Sequence, residues 1–190
     1  MDLSPIGQLL LYLVLPLWIL VGAADWLCHR RARIELTAGP LESVIHLLLL
    51  AEVGIPLLAG LLLEINSAVL VLMLGGFLLH ELTGYWDVRY ASAHRQITPI
   101  EQRVHDYLTA IPLAALLLVV AANWDAALSL IGKAPFDAGL RWKEPPLPIG
   151  YVLGIIVAVL LFNGLPFLEE LWRGLRERRQ RPTATLYAER

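Results

Sequence analysis

Residues 67–94 read SAVLVLMLGGFLLHELTGYWDVRYASAH, an apolar run that leads directly into a group of ionisable side chains. No charged residue occurs between positions 67 and 79, whereas His80, Glu81 and Asp87 follow within the next eight residues. The apolar part predicts a helix that crosses a lipid bilayer. An ionisable side chain at the edge of such a helix is costly, and it is therefore a candidate functional group.

The composition of the whole chain favours the same environment. Of its 190 residues 57% are hydrophobic and 17% are charged, and the mean hydropathy is +0.63. Soluble domains are about 45–50% apolar and about 25% charged, so we expect a single all-α membrane domain over residues 1–190. The net charge of −2, with no basic patch before the C-terminal tail, argues against a nucleic-acid partner. The lone Cys28 excludes an intrachain disulfide framework.

Five apolar runs are long enough, or nearly so, to cross a hydrocarbon layer of about 30 Å at about 1.5 Å per helical residue. Their approximate limits are 5–26, 45–63, 67–83, 107–122 and 149–171. The first run is longer than the core of a signal peptide, so we predict a retained span. Residues 124–148, which include Pro135, Pro145 and Pro146, are interpreted as an interfacial loop, and residues 173–190 as a basic cytoplasmic tail.

The distribution of positive charge predicts the orientation of these spans. Twelve of the fifteen arginine and lysine residues fall on the side that the chain reaches after the first span, whereas Lys133, Arg141 and Lys143 fall on the other side. The positive-inside rule then predicts a multi-pass protein of the plasma (inner) membrane with its N-terminus outside and its C-terminus in the cytoplasm. All five histidines fall on the predicted cytoplasmic side.

Histidines and carboxylates recur in pairs on that side. Three pairs are four residues apart and one is seven residues apart: Asp25 and His29, Glu42 and His46, Glu101 and His105, and His80 and Asp87. A four-residue step turns a helix by about 40°, and a seven-residue step turns it by about 20°. Each pair therefore shares one helix face, provided that the third helix continues through Gly84.

Four helix ends that each offer one histidine and one carboxylate predict a dinuclear metal site inside a helical bundle. Carboxylate oxygen with imidazole nitrogen suits iron, manganese or zinc, and the lack of clustered thiolates argues against copper(I) and iron–sulfur centres. Four carboxylates also neutralise two divalent cations, which lowers the cost of charge near a bilayer. We expect two metal ions held by the eight paired residues, with iron favoured and zinc or manganese as alternatives.

Some of these residues also have a simpler explanation as helix caps. Thr98, Pro99 and Glu101 have the spacing of a helix start, and Pro40 with Glu42 can be interpreted in the same way. Capping accounts for no histidine, however, and it does not account for the repeated pairing.

Four further residues are second candidates. Glu81 and Asp106 lie next to proposed ligands in the sequence and could orient ligand histidines. His94 is interpreted as a ligand, a proton shuttle or a residue on a solvated helix end. Glu52 lies about 9 Å deeper than His46 by helix geometry, where a carboxylate indicates a polar cavity, a proton path or a hydrogen bond between helices.

In its layout, the region from about residue 20 to residue 110 resembles the membrane-embedded di-iron hydroxylases and desaturases, whose site lies on the cytosolic side of a small helical bundle. The mixed histidine and carboxylate set is more similar to that of ferritin-like di-iron proteins. The chain departs from both patterns, because it has five histidines without an HxxHH cluster and its spacing is ExxxH or DxxxH rather than ExxH. The resemblance implies an oxidoreductase that uses dioxygen on a lipid-like or apolar substrate, with an electron-transfer partner.

Three other functions stay open from the sequence. A zinc-dependent membrane hydrolase would use the same ligand types, but HExxH is missing because Leu-Thr-Gly-Tyr follows His80 and Glu81. A metal transporter or sensor would need a polar path, for which Glu52 and Glu64 are the candidates. A b-type cytochrome would pair axial histidines between helices, whereas here a carboxylate accompanies each proposed ligand histidine.

Overall fold

Six helices dominate residues 4–180, the part of the chain that the computed structural model describes. They are α1 (Pro5–Ala32), α2 (Pro40–Leu62), α3 (Ser67–His94), α4 (Pro99–Ala122), α5 (Trp124–Leu130) and α6 (Ile149–Gln180). No β-strand occurs within residues 4–180, where Leu63 and Trp142 form an isolated bridge. The all-α class predicted from the sequence is confirmed.

All the helices except the short α5 are long and apolar enough to cross a membrane, so the structure has the five helices that could span a bilayer as predicted. Large apolar side chains such as Leu20, Leu82 and Leu117 point outward along them and are more than half exposed. Water is an unfavourable surrounding for so much apolar surface, so the outer face of the bundle suits lipid.

Several helices extend beyond the apolar runs from which the spans were predicted, and capping groups define some of the helix ends. At the start of α4 the backbone N–H of Glu101 donates to Thr98 Oγ1 (3.2 Å), and the backbone N–H of Thr98 donates to the Glu101 carboxylate (3.4 Å). At the start of α3 the backbone N–H of Val69 donates to Asn66 Oδ1 (3.1 Å). α1 ends where Arg33 adopts a left-handed conformation with φ of 52°. The paired histidines and carboxylates consequently lie on regular helix.

The long helices form a closed ring in the order α1, α4, α3, α2, α6, and α6 packs back against α1. The C-terminal ends of α1, α3 and α6 meet the N-terminal ends of α2 and α4 at one end of this ring, which we call the polar end. The buried apolar core belongs mainly to the opposite half and consists of Leu15, Ile19, Leu61, Leu147, Val152 and Ile155.

A π-turn interrupts α6 at Leu160–Gly164, and another interrupts α1 at Leu10–Val14. In the α6 turn, Asn163 Nδ2 donates to the carbonyl of Ile19 in α1 (3.2 Å). The two helices approach closely here because Gly22 has no side chain, since a Cβ at that position would lie 2.2 Å from Asn163 Nδ2. This contact fixes α6 against α1 two turns before the polar end.

The segment 124–148, interpreted from the sequence as a loop, begins with α5 and continues as irregular structure. Its far part is tied to the α2–α3 turn, because Arg141 Nε donates to Glu64 (2.9 Å) and Asn66 Nδ2 donates to the carbonyl of Gly139 (2.5 Å). Of the predicted basic tail, residues 181–190 lie outside the described part of the chain.

Candidate metal centre

The eight paired residues lie together at the polar end of the ring. Seven of them are buried, and the side chain of His105 is 10% exposed. They come from four helices: Asp25 and His29 from α1, Glu42 and His46 from α2, His80 and Asp87 from α3, and Glu101 and His105 from α4. The helix-face argument from the sequence therefore agrees with the way the four helices pack.

One group of donor atoms surrounds Asp25. Its Oδ1 lies 3.5 Å from His29 Nε2 and 3.1 Å from His105 Nε2. Glu101 Oε1 lies 3.4 Å from the same His29 Nε2. Two helices thus contribute two nitrogens and two oxygens to one small volume.

A second group lies beside the first and is centred on His46. His46 Nε2 lies 3.2 Å from Asp87 Oδ1, and ligand atoms of His29, Glu42 and His46 lie within 4.8 Å of one another. The rings of His29 and His46 stack at 4.3 Å with an angle of 8° between their planes. The two groups are therefore immediate neighbours.

Most of these donor atoms are buried and face only one another, at ion-pair distances and without well-aligned hydrogen bonds. This holds for Asp25 Oδ1, Asp87 Oδ1 and the Nε2 atoms of His29, His46 and His105. Unpartnered polar atoms are rare inside proteins and call for an explanation. Bonds of about 2.1 Å to a metal place neighbouring ligands about 3.0 Å apart in an octahedron and about 3.4 Å apart in a tetrahedron. The spacing of 3.1–3.5 Å between these atoms therefore fits metal coordination.

Glu170 of α6 joins the site, and the sequence reasoning missed it. It is fully buried; its Oε1 lies 2.8 Å from His46 Nδ1 and its Oε2 lies 3.3 Å from His29 Nδ1. A carboxylate that faces both Nδ1 atoms favours a proton on each of them and leaves both Nε2 lone pairs free. Glu170 has no histidine nearby in the sequence, so the histidine–carboxylate spacing did not indicate it. The available signal was its position inside an apolar span.

Arg95, in the turn between α3 and α4, is a second residue that the sequence reasoning did not assign to the site. Its Nη2 donates to Glu42 Oε1 and to Glu101 Oε1, both at 2.5 Å, and its Nη1 donates to Glu101 Oε2 at 3.0 Å. Burial lowers the pKa of the Arg95 guanidinium, but the hydrogen bonds to Glu101 and Glu42 raise it by more, so the pKa lies above its ordinary value. The guanidinium is a permanent positive charge between α2 and α4.

The charge of the site also suits two divalent cations. Its five carboxylates are Asp25, Glu42, Asp87, Glu101 and Glu170, and together they carry five negative charges when ionised. Arg95 contributes one positive charge, which leaves four negative charges if the histidines are neutral. The net charge of −4 that four carboxylates would give, which neutralises two divalent cations, is thus reached with five carboxylates and one arginine.

His80 approaches the site from α3, which continues without a break through Gly84. It lines a cavity of about 130 Å³ together with Asp25, His46, Asp87 and His105. His80 Nδ1 is buried without a hydrogen-bond partner. His80 therefore faces the space beside both groups of donors, and the continuous helix places Asp87 on the same face.

Two of the second candidates lie away from these donors. His94 is exposed, and its Nδ1 donates to the carbonyl of Tyr90 (2.8 Å). Asp106 is exposed as well, and it accepts hydrogen bonds from Gln102 (3.2 Å) and Arg103 (3.3 Å). Neither residue is in contact with a proposed ligand histidine.

The other two second candidates are buried to a greater degree. Glu81 is partly buried beside Thr109 of α4 and does not line the cavity that His80 lines. Glu52 accepts a hydrogen bond from Thr83 Oγ1 (2.8 Å), so it forms the bond between helices that was one of its three interpretations. It also lines a second cavity of about 480 Å³.

Comparison of the chain with protein-family models, curated proteins and solved structures finds no match. The geometry and chemistry of the polar end are therefore the features that point to a function.

Proposed function

We propose that the protein is a membrane-embedded dinuclear metalloenzyme, with iron as its metal, that oxidises an apolar or lipid-like substrate with dioxygen. One observation carries the proposal: two adjacent groups of buried nitrogen and oxygen atoms converge on one another with the spacing of metal ligands and without well-aligned hydrogen bonds. Mixed carboxylate and imidazole ligands suit iron, with zinc and manganese as alternatives.

The two groups suggest how the ligands divide between the ions. One ion would be held by Asp25, His29, Glu101 and His105. The second would be held by Glu42, His46 and Asp87, with His80 facing it from the adjoining cavity.

The remaining residues of the polar end have distinct tasks in this proposal. Glu170 fixes the orientation of His29 and His46 by facing their Nδ1 atoms, as carboxylates behind metal-bound histidines commonly do. Arg95 holds Glu42 and Glu101 in place and offsets part of their charge. Burial of the site limits the access of water.

When bound by these residues, two iron ions would supply the redox chemistry for converting a C–H bond into C–OH. In this reaction one oxygen atom of dioxygen enters the substrate and the other leaves as water, with two electrons and two protons consumed. An electron-transfer partner has to supply the electrons. The arginines near the polar end, among them Arg30, Arg31, Arg89 and Arg103, support a cytoplasmic position for that end and so for the partner.

Metal analysis of the purified full-length chain tests the proposal. We expect about two irons per chain after purification without chelators. Asp87→Asn should lower the content to about one, because it removes a donor from the second group only. The matched control is Asp106→Asn, which changes an exposed aspartate away from the site and should retain both ions.

Two outcomes would contradict the proposal. A folded wild-type protein that binds no metal under these conditions would exclude a dinuclear enzyme. Two zinc ions in place of iron would favour the membrane hydrolase, in which a metal-bound water attacks an ester or amide bond.

A further inference from the structure

An apolar passage inside the helical ring leads away from the polar end. Two adjoining cavities form it, and they share the lining residues Leu15, Trp18, Val53 and Leu57. The smaller cavity, of about 130 Å³, ends at the histidines and carboxylates of the candidate metal centre. The larger cavity, of about 480 Å³, continues to Lys143 in the irregular segment at the opposite end.

The passage has the length of a lipid chain. His46 lines its inner end and Gly60 lines its outer part, and both belong to α2. Fourteen residues separate them, which corresponds to about 21 Å along the helix axis. This is about two thirds of a hydrocarbon layer of about 30 Å. The volume of the larger cavity alone lies in the range of about 300–1,000 Å³ that is usual for small-molecule sites.

The wall of the passage is almost wholly apolar between its two ends. Leucine, valine, phenylalanine and proline side chains line it, together with Trp18. Glu52 adds one carboxyl group, whose Oε1 accepts from Thr83 and whose Oε2 is buried without a partner. Asn163 and Thr109 add polar groups to the wall of the smaller cavity. Apart from these and Glu52, the wall suits a hydrocarbon chain.

Two glycines leave room beside the smaller cavity, Gly84 near the candidate ligands and Gly54 about 12 Å along α2 from His46. Gly54 and Gly84 both line the smaller cavity, and a Cβ added to either would meet no atom within 4 Å. The open space beside Gly84 lies on the same helix as His80 and Asp87. The passage is therefore wide where it reaches the candidate ligands.

We propose that this passage binds a lipid with a single hydrocarbon chain, which lies lengthwise inside the ring and brings one of its carbons beside His80 and Asp87. The inference rests on the proposed function, because it names the substrate class of that site and the place where the substrate lies. The lipid chain lies between the helices, in cavities that are partly open to the outside of the bundle.

Trp18 provides a direct reporter, since it lines both cavities. Bromine quenches tryptophan fluorescence on contact, so a long-chain fatty acid brominated at mid-chain should quench the full-length protein in lipid nanodiscs. We expect a saturable component that the unbrominated fatty acid competes away. This component should disappear in Trp18→Phe, whereas non-saturable quenching of lipid-facing tryptophans should persist.

A matched pair of glycine variants tests where the chain lies. Gly54→Leu fills the smaller cavity from a helix position with open space, so we expect binding at least 10-fold weaker than in the wild type. Gly154→Leu makes the same change at an exposed position of α6 that also has open space and lines neither cavity. Its binding should equal that of the wild type.

The outcomes separate this inference from the proposed function. A protein that holds two irons but shows no saturable Trp18 quenching would overturn the lipid passage and leave the metalloenzyme intact. Equal binding by Gly54→Leu and Gly154→Leu would also overturn it. Saturable quenching in a chain that binds no metal would instead support the passage and overturn the metalloenzyme.

Discussion

Both ends of the bundle carry an arginine between two carboxylates, but in opposite surroundings. At the polar end the side chain of Arg95 is 4% exposed, and its partners Glu42 and Glu101 are at most 1% exposed. At the far end the side chain of Arg141 is 53% exposed, and it contacts Glu64 and Asp137. Water and salt screen the exposed cluster, whereas the buried one combines a high cost of desolvation with strong mutual attraction.

An arginine with two carboxylates therefore has a different role at each end of the bundle. The exposed cluster ties an irregular segment to the α2–α3 turn and needs no further explanation. The buried cluster supplies Glu42 and Glu101, two of the five carboxylates at the polar end, and buried ion pairs are often replaceable by apolar residues without loss of stability. A bound pair of cations would account for these carboxylates under the proposed function, and the following variants test it, starting with the largest expected effect.

Removal of Arg95 should have the largest effect on stability. Arg95→Leu leaves Glu42 and Glu101 buried without a positive partner, which typically costs about 3–5 kcal/mol. We expect a correspondingly lower free energy of unfolding for the metal-free protein in detergent, measured by chemical denaturation. The free energy of unfolding of Arg95→Lys should lie between those of Arg95→Leu and the wild type, because lysine keeps the charge but cannot form paired bonds to both carboxylates.

Metal addition sharpens the same comparison. Two divalent cations supply positive charge that Arg95→Leu lacks, so iron should raise the thermal midpoint of this variant by more than it raises that of the wild type. An equal rise in both proteins would show that the ions do not bind among these carboxylates.

Glu170→Gln should weaken metal binding by about 10–100-fold, the usual effect of losing a group that orients a ligand histidine. Glu170 accepts a hydrogen bond from His46 Nδ1, and its other oxygen lies 3.3 Å from His29 Nδ1, whereas an amide would turn a donor towards one of the two rings. Competition with a chelator measures the affinity. Glu169→Gln is the neighbouring control, since Glu169 instead pairs with Arg30 and Arg173; equal loss in both variants would contradict the role given to Glu170.

Thr98→Ala should have a smaller effect, about 1 kcal/mol of stability, because it removes the side chain that caps α4. Glu101 belongs to the same capping box, so a modest loss of iron affinity should accompany the change. Thr98→Ser retains the cap and should restore both quantities. A loss of stability as large as that of Arg95→Leu would mean that the cap does more than begin the helix.

Arg141→Leu should have the smallest effect, with little change in the thermal midpoint. The hydrogen bond from Arg141 holds the pKa of Asp137 below its ordinary value, so the variant should let that pKa rise. The small stability that this pKa shift contributes is present above the pKa of the unfolded chain and is lost as the pH falls. An NMR titration of Asp137 measures the shift, and an unchanged pKa would contradict the pairing.

Local spacing made part of the candidate site predictable from the sequence. A four-residue step fixes which face of a helix a pair occupies, so Asp25 with His29 and Glu42 with His46 could be placed without knowledge of the fold. The meeting of the four pairs followed from the alternating direction of successive spans. Iron, dioxygen and an electron donor stay predictions.

The residues that the sequence reasoning passed over depend on contacts between distant parts of the chain. Glu170 lies 124 positions from His46, and Arg95 lies 53 positions from Glu42. No local spacing connects such residues. The helix limits in the structure differ from the predicted limits for another reason. The apolar runs stop at the first charged residues, whereas α4 begins at its Thr98 cap and includes the charged residues that follow.

The π-turn in α6 has a consequence for the direction in which Glu170 faces. A π-turn contains one residue more than an α-turn, so it rotates the rest of the helix by about 100°. Glu170 lies beyond the turn at Leu160–Gly164, and in an uninterrupted helix it would face a different direction. Deletion of one residue from the turn would therefore swing Glu170 by about 100°, away from the Nδ1 atoms of His29 and His46.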